Sequence, residues 1–319
     1  MNIIYNKKLI IGILILIFNL IGYSEEKKPF ISIGTGPIDG VFYPTGVVIA
    51  EVIKEAGYNS SAQSTAGSGE NIDFLYFKKV EMAISMSDSV HQAYNGVGAY
   101  KIKGPMKNLK CITGLHPNFT QIVTLRDSGI KTFEDLKGKR IGIGIYNSGV
   151  ELNARLLYEI HNMNYKDSDI IYSTPGEIIE QLKSNLLDAI FLTNTIPNEI
   201  IYNLANEVPI SFVEISDEGY KNLKKKWPFF FRGIISKNDY NIDKSVKTVA
   251  VQNLLLVDGN LSEDVVYDIT KAFFENLDRI KETHISVKRS VSLENYSKNV
   301  EIPFHEGAIR YYKEKNIWK

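Results

Sequence analysis

The sequence predicts an α/β protein of two lobes with a ligand cleft between them, and three observations carry the prediction. Short β-rich runs alternate with amphipathic helical runs, the alternation restarts in the middle of the chain, and strand after strand ends in a turn that opens a helix.

Residues 1–24 are set aside first. Lys7 and Lys8 precede the apolar run Leu9 to Ile21, shorter than the roughly 20 residues of a bilayer span, and Gly22-Tyr23-Ser24 supplies the small-x-small pattern of a cleavage site. This reads as a signal peptide, with an uncleaved anchor as the other reading of the same run. No cysteine stands beside the cut, which excludes a lipoprotein anchor. The mature chain is expected to begin near Glu25 and to be periplasmic.

Losing the two lysines takes the formal charge from +0 to about −2, with 23% of residues charged and 44% hydrophobic. That balance recommends neither nucleic acid nor an anionic membrane as a partner. Cys111 is the only cysteine, so no internal disulfide can form and stability must come from core burial. The chain is long enough for two domains.

The first set opens with a strand at Ile31 to Ile33 within ISIGTGPIDGVFYPTG. It runs through a glycine turn into a helix with Pro44 in its first turn, Ile49, Val52, Ile53 and Ala56 on one face, and Gly57 past its end. Strand Ser60 to Ser64 leads through TAGSGEN to a helix carrying Ile72, Leu75 and Tyr76, and strand Met82 to Met86 ends in the cap-type run Ser87-Asp88-Ser89. The second set begins at strand Arg140 to Ile145, after which Asn147-Ser148-Gly149 opens a helix with Leu152, Leu156 and Ile160 inward. Ser148 with Glu151, and Thr174 with Glu177 around Pro175, have capping-box spacing; strand Asp188 to Thr193 empties into another helix start.

The long apolar run Lys247 to Val257 suits a strand that crosses between lobes, Cys111 to Leu125 is the candidate for the first crossing, and Ser262-Glu263-Asp264 caps a helix expected over Val265 to Ile280. The boundaries this gives are residues 25–117 plus 249–319 for lobe I and 118–248 for lobe II. Ligands of open parallel sheets gather beyond the carboxyl ends of strands, so the turns at Gly34, Ser64, Ser87, Asn147 and Thr193 should converge on the cleft. Helix N-termini there carry about half a positive charge and up to four free N–H donors, which calls for a carboxylate or a phosphate.

The motifs GTGPIDGVFYPTG, STAGSGENIDFL, MAISMSDSVHQAYNG, SGIKTFEDLKGKRIGIG, NSGVELNAR, DAIFLT, WPFFF, TVAVQNLLLV, LSEDVVYDITKAFFENLD and IPFHEGAIRYYKE follow one another in the order of a single family. From about Ile31 to Lys315 the chain resembles the TAXI family, the TRAP-associated extracytoplasmic immunogenic solute-binding proteins of tripartite ATP-independent periplasmic transporters. The resemblance implies a type II periplasmic-binding-protein fold whose lobes, joined by hinge strands, close on a small solute. It implies delivery to an integral membrane TRAP permease driven by a sodium or proton gradient, with glutamate, glutamine, 2-oxoglutarate or a similar small carboxylate as the solute. The chain departs from the family pattern at Pro37, Ile38, Asp39, Phe42, Ala66, Met86 and Val150, over Leu192 to Thr195, and from Arg232 to Tyr240, which makes a shifted specificity plausible.

Each candidate ligand residue has a plainer alternative. Thr35 and Gly36 offer backbone N–H groups and a hydroxyl, or merely a turn that lets helix and strand pack closely. Tyr43 lies at a helix mouth, or is one more half-buried tyrosine. Ser64, Ser68 and Asn71, with Thr65 and Gly67 beside them, form a donor-rich loop that also suits helix capping. Ser87 and Asp88 contact ligand or cap the next helix; Asp88 would suit an ammonium group and repel a dicarboxylate. From the other lobe, Asn147, Ser148 and Gly149 offer the facing helix mouth, and Thr193 with Asn194 the strand end. Arg232 reads either as a partner for a distal carboxylate or as a surface arginine. Charge-assisted hydrogen bonds contribute roughly 1.5 to 3 kcal/mol each and micromolar affinity needs about 8 kcal/mol net, so a site closed from both sides is favoured over one mouth alone.

Other classes fit less well. Gly34-x-Gly36-x3-Gly40 and Gly142-x-Gly144-x4-Gly149 lack the G-x-G-x2-G dinucleotide spacing, no G-x-S-x-G elbow occurs, and the five histidines are scattered. No catalytic residue, metal or cofactor is expected, and the protein is expected to be a monomeric binder rather than an exported enzyme. A sensory protein docking the same lobes on a receptor stays open, because that difference lies in the partner.

Overall fold

The computed structural model describes residues 28–318; the signal peptide expected over residues 1–24 lies outside them. Strands β1 (Ile31–Gly34), β2 (Ser60–Gln63) and β3 (Met82–Met86) are parallel, with helices α1 (Phe42–Glu55) and α2 (Ser68–Tyr76) as their crossovers and α3 (Ser87–Asn95) leaving the last of them. The long strand β4 (Leu109–Leu125) follows. A second parallel set comprises β5 (Arg140–Ile143), β6 (Asp169–Tyr172) and β7 (Ala189–Asn194), interleaved with α4 (Gly149–Ile160) and α5 (Pro175–Lys183) and followed by α6 (Glu199–Glu207). Then come β8 (Ile210–Phe212), α7 (Asp217–Lys226), β9 (Phe231–Ile235) and the second long strand, β10 (Val246–Asp258). Helices α8 (Glu263–Glu275), α9 (Leu277–Lys281), α10 (Ile285–Ser290) and α11 (Glu306–Glu314) complete the described chain.

The two parallel sets do not form separate sheets. β10 pairs antiparallel with β3 through Asn253–Val257, β4 pairs antiparallel with β7 through Phe119–Thr124, and β4 and β10 pair with each other, so one ten-stranded sheet has eight strands in the order β2-β1-β3-β10-β4-β7-β5-β6, with β8 added on β4 and β9 on β10. The two segments read as crossing strands are β4 and β10. Both are buried along nearly their whole length, as strands covered on both faces must be.

Each half of the sheet has its own core. In the first, Ile31, Ile33, Ile49 and Ile53 pack against Val266, Ile269, Phe273, Tyr311 and Tyr312 of the C-terminal helices. In the second, Ile141, Ile143, Leu157, Phe191 and Phe230 pack together with Val249 and Val251 of β10. Burying side chains of this size contributes roughly 1.5 to 3 kcal/mol each, which supplies the stability that a chain with one buried, unpaired cysteine cannot take from disulfides. One helix differs from expectation. The run expected over Val265 to Ile280 breaks at Asn276, whose backbone leaves the helical region while its Nδ2 donates to the carbonyl of Ala272, so α8 and α9 are separate.

Candidate functional site

The crossovers place helix N-termini from both halves of the sheet around one cavity of about 110 Å³. Its wall includes Val41 and Phe42 at the start of α1, Gly67 and Ser68 at the start of α2, and Met86 before α3. From the other half come Ser148 and Gly149 at the start of α4, Pro175 at the first position of α5, and Ile200 in the first turn of α6. Cap or first-turn residues of six helices therefore line the same space, where helix N-termini favour an anion.

The six mouths are not equivalent. Ser148, Thr174 and Asn198 cap α4, α5 and α6 through their side chains, and Thr174 with Glu177 forms the expected capping box. Ser148 accepts from the Glu151 amide as expected, while the Glu151 carboxylate turns to the Asn147 amide. Helices α1, α2 and α3 carry no side-chain cap. At α3 the protein supplies its own acid: the fully buried Asp88 carboxyl is pushed up to about 6 by desolvation, opposed by the hydrogen bond from Asn153 to Oδ2, while Oδ1 has no partner among the described residues. At α2 the first-turn Glu70 carboxylate accepts from the Ala66 amide and the Thr65 hydroxyl from that of Gly67, so among the described residues α1 is the mouth at which no protein side chain meets an amide.

Of the residues singled out in the sequence, Gly36, Ser68, Ser148, Gly149, Thr193 and Asn194 line the cavity. The others surround it. Thr35 donates through its hydroxyl and its amide to the Gln63 carbonyl, tying β1 to β2. Asn71 is a buried peg, its Nδ2 donating to the carbonyls of Thr35 and Ile84 and its Oδ1 accepting from Thr65. Ser64 donates to the Gly36 carbonyl, and Ser87 accepts from the Gln252 amide. Tyr43 is half-buried in the first turn of α1, one residue past the lining Phe42. Asn147 holds a left-handed φ of 59° with its Nδ2 on Asp73, 3.4 Å away. Arg232 is ion-paired with Asp217 at 2.6 Å and lies over Tyr220, outside the lining, which is the surface reading of that residue.

A buried network ties the two halves together behind the cavity. Thr193 and Thr120 both donate to Oδ1 of Asn153, at 3.2 and 2.8 Å, and Asn153 donates through Nδ2 to Asp88 at 3.1 Å. Asn153 and Asp88 are both fully buried, so this link forms only when the halves are together.

Several lining residues were not among the sequence candidates. Asn118 of β4 is 5% exposed, donates to the Met86 thioether at 3.5 Å, and has an Oδ1 with no partner. Its signal was weak: His116, Asn118 and Thr120 stand two apart along β4, but Lys110, Thr113, Gln121 and Thr124 make the strand polar elsewhere too. Pro37, Asp39, Phe42, Ala66, Met86 and Val150, noted only as departures from the family pattern, all line the cavity. Among the described residues no helix is long and apolar enough to cross a membrane, and no group of His, Cys, Asp and Glu could hold a metal ion.

Comparison with solved structures shows the same fold. PhnD1 from Prochlorococcus marinus, in complex with methylphosphonate, matches with a TM-score of 0.53 at 12% identity over 90% of this chain and 98% of that one. A protein from Bordetella bronchiseptica RB50 matches with a TM-score of 0.53 at 16% identity over 90% and 89%. A binding protein component of an ABC phosphonate transporter from Pseudomonas aeruginosa matches with a TM-score of 0.50 at 14% identity over 85% and 80%. The architecture is the α/β, type II periplasmic-binding-protein fold, with the cavity between halves joined by β4 and β10. A family model covers nearly all of the described chain, residues 33–315, and the protein belongs to the NMT1-like family.

Proposed function

We propose that this protein is an extracytoplasmic solute-binding protein that captures a small carboxylate between two lobes and delivers it, chemically unchanged, to a membrane permease. The observation that carries the reading is the convergence of helix N-termini from both halves of the sheet on one cavity, with α1 uncapped. Carboxylate recognition by such amides needs no catalytic group, and a binder rather than an enzyme accounts for the site. The lobes are residues 25–117 plus 249–319 and residues 118–248, with β4 and β10 as hinges, and residues 1–24 direct export to the periplasm.

The motif resemblance supports a TRAP-type permease as acceptor. The Pseudomonas aeruginosa protein of the same fold is a component of an ABC transporter, so fold alone does not choose the permease class. A thermal-shift screen of glutamate, glutamine, 2-oxoglutarate and other small mono-, di- and tricarboxylates tests the binding step. A raised melting temperature with recovery of unaltered acid is the expected result; no shift with any acid, or a converted product, overturns the proposal.

A further inference from the structure

We propose, resting on the solute-binding reading above, that the ligand is a monocarboxylate with an apolar side chain and a hydrogen-bond donor on its second carbon, a 2-hydroxy or 2-amino acid of the leucine type, rather than a dicarboxylate. The first observation is Asn118. It lines the cavity at 5% exposure, and its Oδ1 has no hydrogen-bond partner while its Nδ2 faces only the thioether of Met86. A buried acceptor left unpaired is unfavourable, and nearly all such atoms in folded proteins find a partner. A ligand O–H or N–H supplies one; a second carboxylate does not.

The second observation is the wall. Val41, Phe42, Met86, Val150, Pro175 and Ile200 give the cavity a largely aliphatic and aromatic surface. Among the described residues no Lys, Arg or His lines it, and the ionisable side chain that does is Asp39, exposed at the rim. A single carboxylate is served by the mouth of α1, which has no side-chain cap, whereas the Ala66 and Gly67 amides before α2 are already taken by Glu70 and Thr65. A distal carboxylate would have to shed its water against that wall with no cation to meet it, and would be repelled by Asp39. An apolar side chain gains from the same surface.

Isothermal titration of the purified protein decides between the two chemistries. The probes are leucine, 2-hydroxy-4-methylpentanoate, 4-methyl-2-oxopentanoate, glutamate and 2-oxoglutarate. Leucine or the hydroxy acid is expected to bind about tenfold or more tighter than the 2-oxo analogue, which lacks the donor, and both dicarboxylates about a hundredfold weaker than the best probe. The comparison of leucine with the hydroxy acid reports whether the donor is ammonium or hydroxyl. In Asn118→Ala the preference for the donor-bearing acid over its 2-oxo analogue is expected to fall to about one, with affinity for the 2-oxo acid retained. The melting temperature without ligand checks that the variant is folded, and the comparison among probes in the unmutated protein stands if it is not. Tighter binding of glutamate or 2-oxoglutarate, or equal binding of the 2-oxo and donor-bearing acids, overturns this inference while leaving the solute-binding reading in place. No binding of any acid overturns both.

Discussion

Gly69 in α2 faces the main-chain carbonyl of Asn147 so closely that a Cβ placed on the glycine would lie 2.2 Å from that oxygen. The carbonyl has little freedom to retreat, because Asn147 is fixed in the left-handed region with its Nδ2 on Asp73 and its amide on Glu151. The contact joins the two halves of the sheet beside the cavity, so Gly69→Ala should wedge them apart without touching either core. Ligand affinity is expected to fall about tenfold or more, and the unliganded variant should melt lower because the buried Asn153–Asp88 link spans the same junction. At Gly149 a Cβ would meet Met86 Cε at 2.1 Å and Ser68 Oγ at 2.7 Å, the latter held by the Met86 amide, so Gly149→Ala should also weaken binding. Titration calorimetry with the best-binding acid checks both; an unchanged affinity in Gly69→Ala would remove closure of this contact from the binding mechanism.

The fold was legible because its signals are local and repeated. The run that became β10 stood out by its length and mostly apolar residues, the first crossing was legible only by analogy with it, and the turn residues before α4 and α5 announced those helices. The break at Asn276 was not legible, since the apolar spacing continues across it and only a side chain returning to the Ala272 carbonyl interrupts the helix. The same limit applies at the site. A hydroxyl or amide that meets a ligand and one that braces its own turn are the same residue type at the same place, as Ser148 and Asn71 illustrate. Apolar lining such as Val150 and Ile200 looks like core in a sequence, and becomes cavity wall only when the second half is brought opposite.

Asn71 is fully buried and satisfies three groups at once: the carbonyls of Thr35 and Ile84 and the hydroxyl of Thr65. Truncating it strands both carbonyls in a dry interior. Asn71→Ala should therefore destabilise the protein by about 3 kcal/mol, visible as a lower urea midpoint with an unchanged slope. A midpoint within error of the unmutated protein would show that water reaches these carbonyls.

Asp88 should leave a signature in the pH dependence of stability. Burial raises its carboxyl from 3.8 to about 6, so in that window the folded protein holds a proton that the unfolded chain has released. Stability from this group is present below the lower value and is lost as pH rises through the upper one, to the extent of about 3 kcal/mol. His116 works in the opposite sense. Burial, with His284 nearby, lowers it from 6.5 to about 3, so stability is lost as pH falls. The two groups oppose each other, and the lowered His284 and His305 add to the histidine sense. In Asp88→Asn the histidine slope is left alone, and stability relative to the parent should climb with pH across that window. Urea melts at several pH values check this; a difference that stays flat would show that Asp88 keeps its charge when buried.

Ser148 separates capping from ligand binding, because aspartate caps a helix as well as serine does. The Ser148 hydroxyl accepts from the Glu151 amide at 3.2 Å and the residue lines the cavity. Ser148→Ala removes the cap, at about 1 kcal/mol of stability, and should lower the melting temperature with a modest loss of affinity. Ser148→Asp keeps the cap but sets a negative charge where an anion is to sit. Two like charges about 4 Å apart at an effective dielectric of about 20 repel by about 4 kcal/mol, roughly a thousandfold in affinity. The aspartate variant should therefore melt near the unmutated protein and bind no carboxylate measurably. Carboxylate binding by Ser148→Asp at the original strength would move the anion out of this cavity altogether, and with it the role assigned to the facing helix mouths.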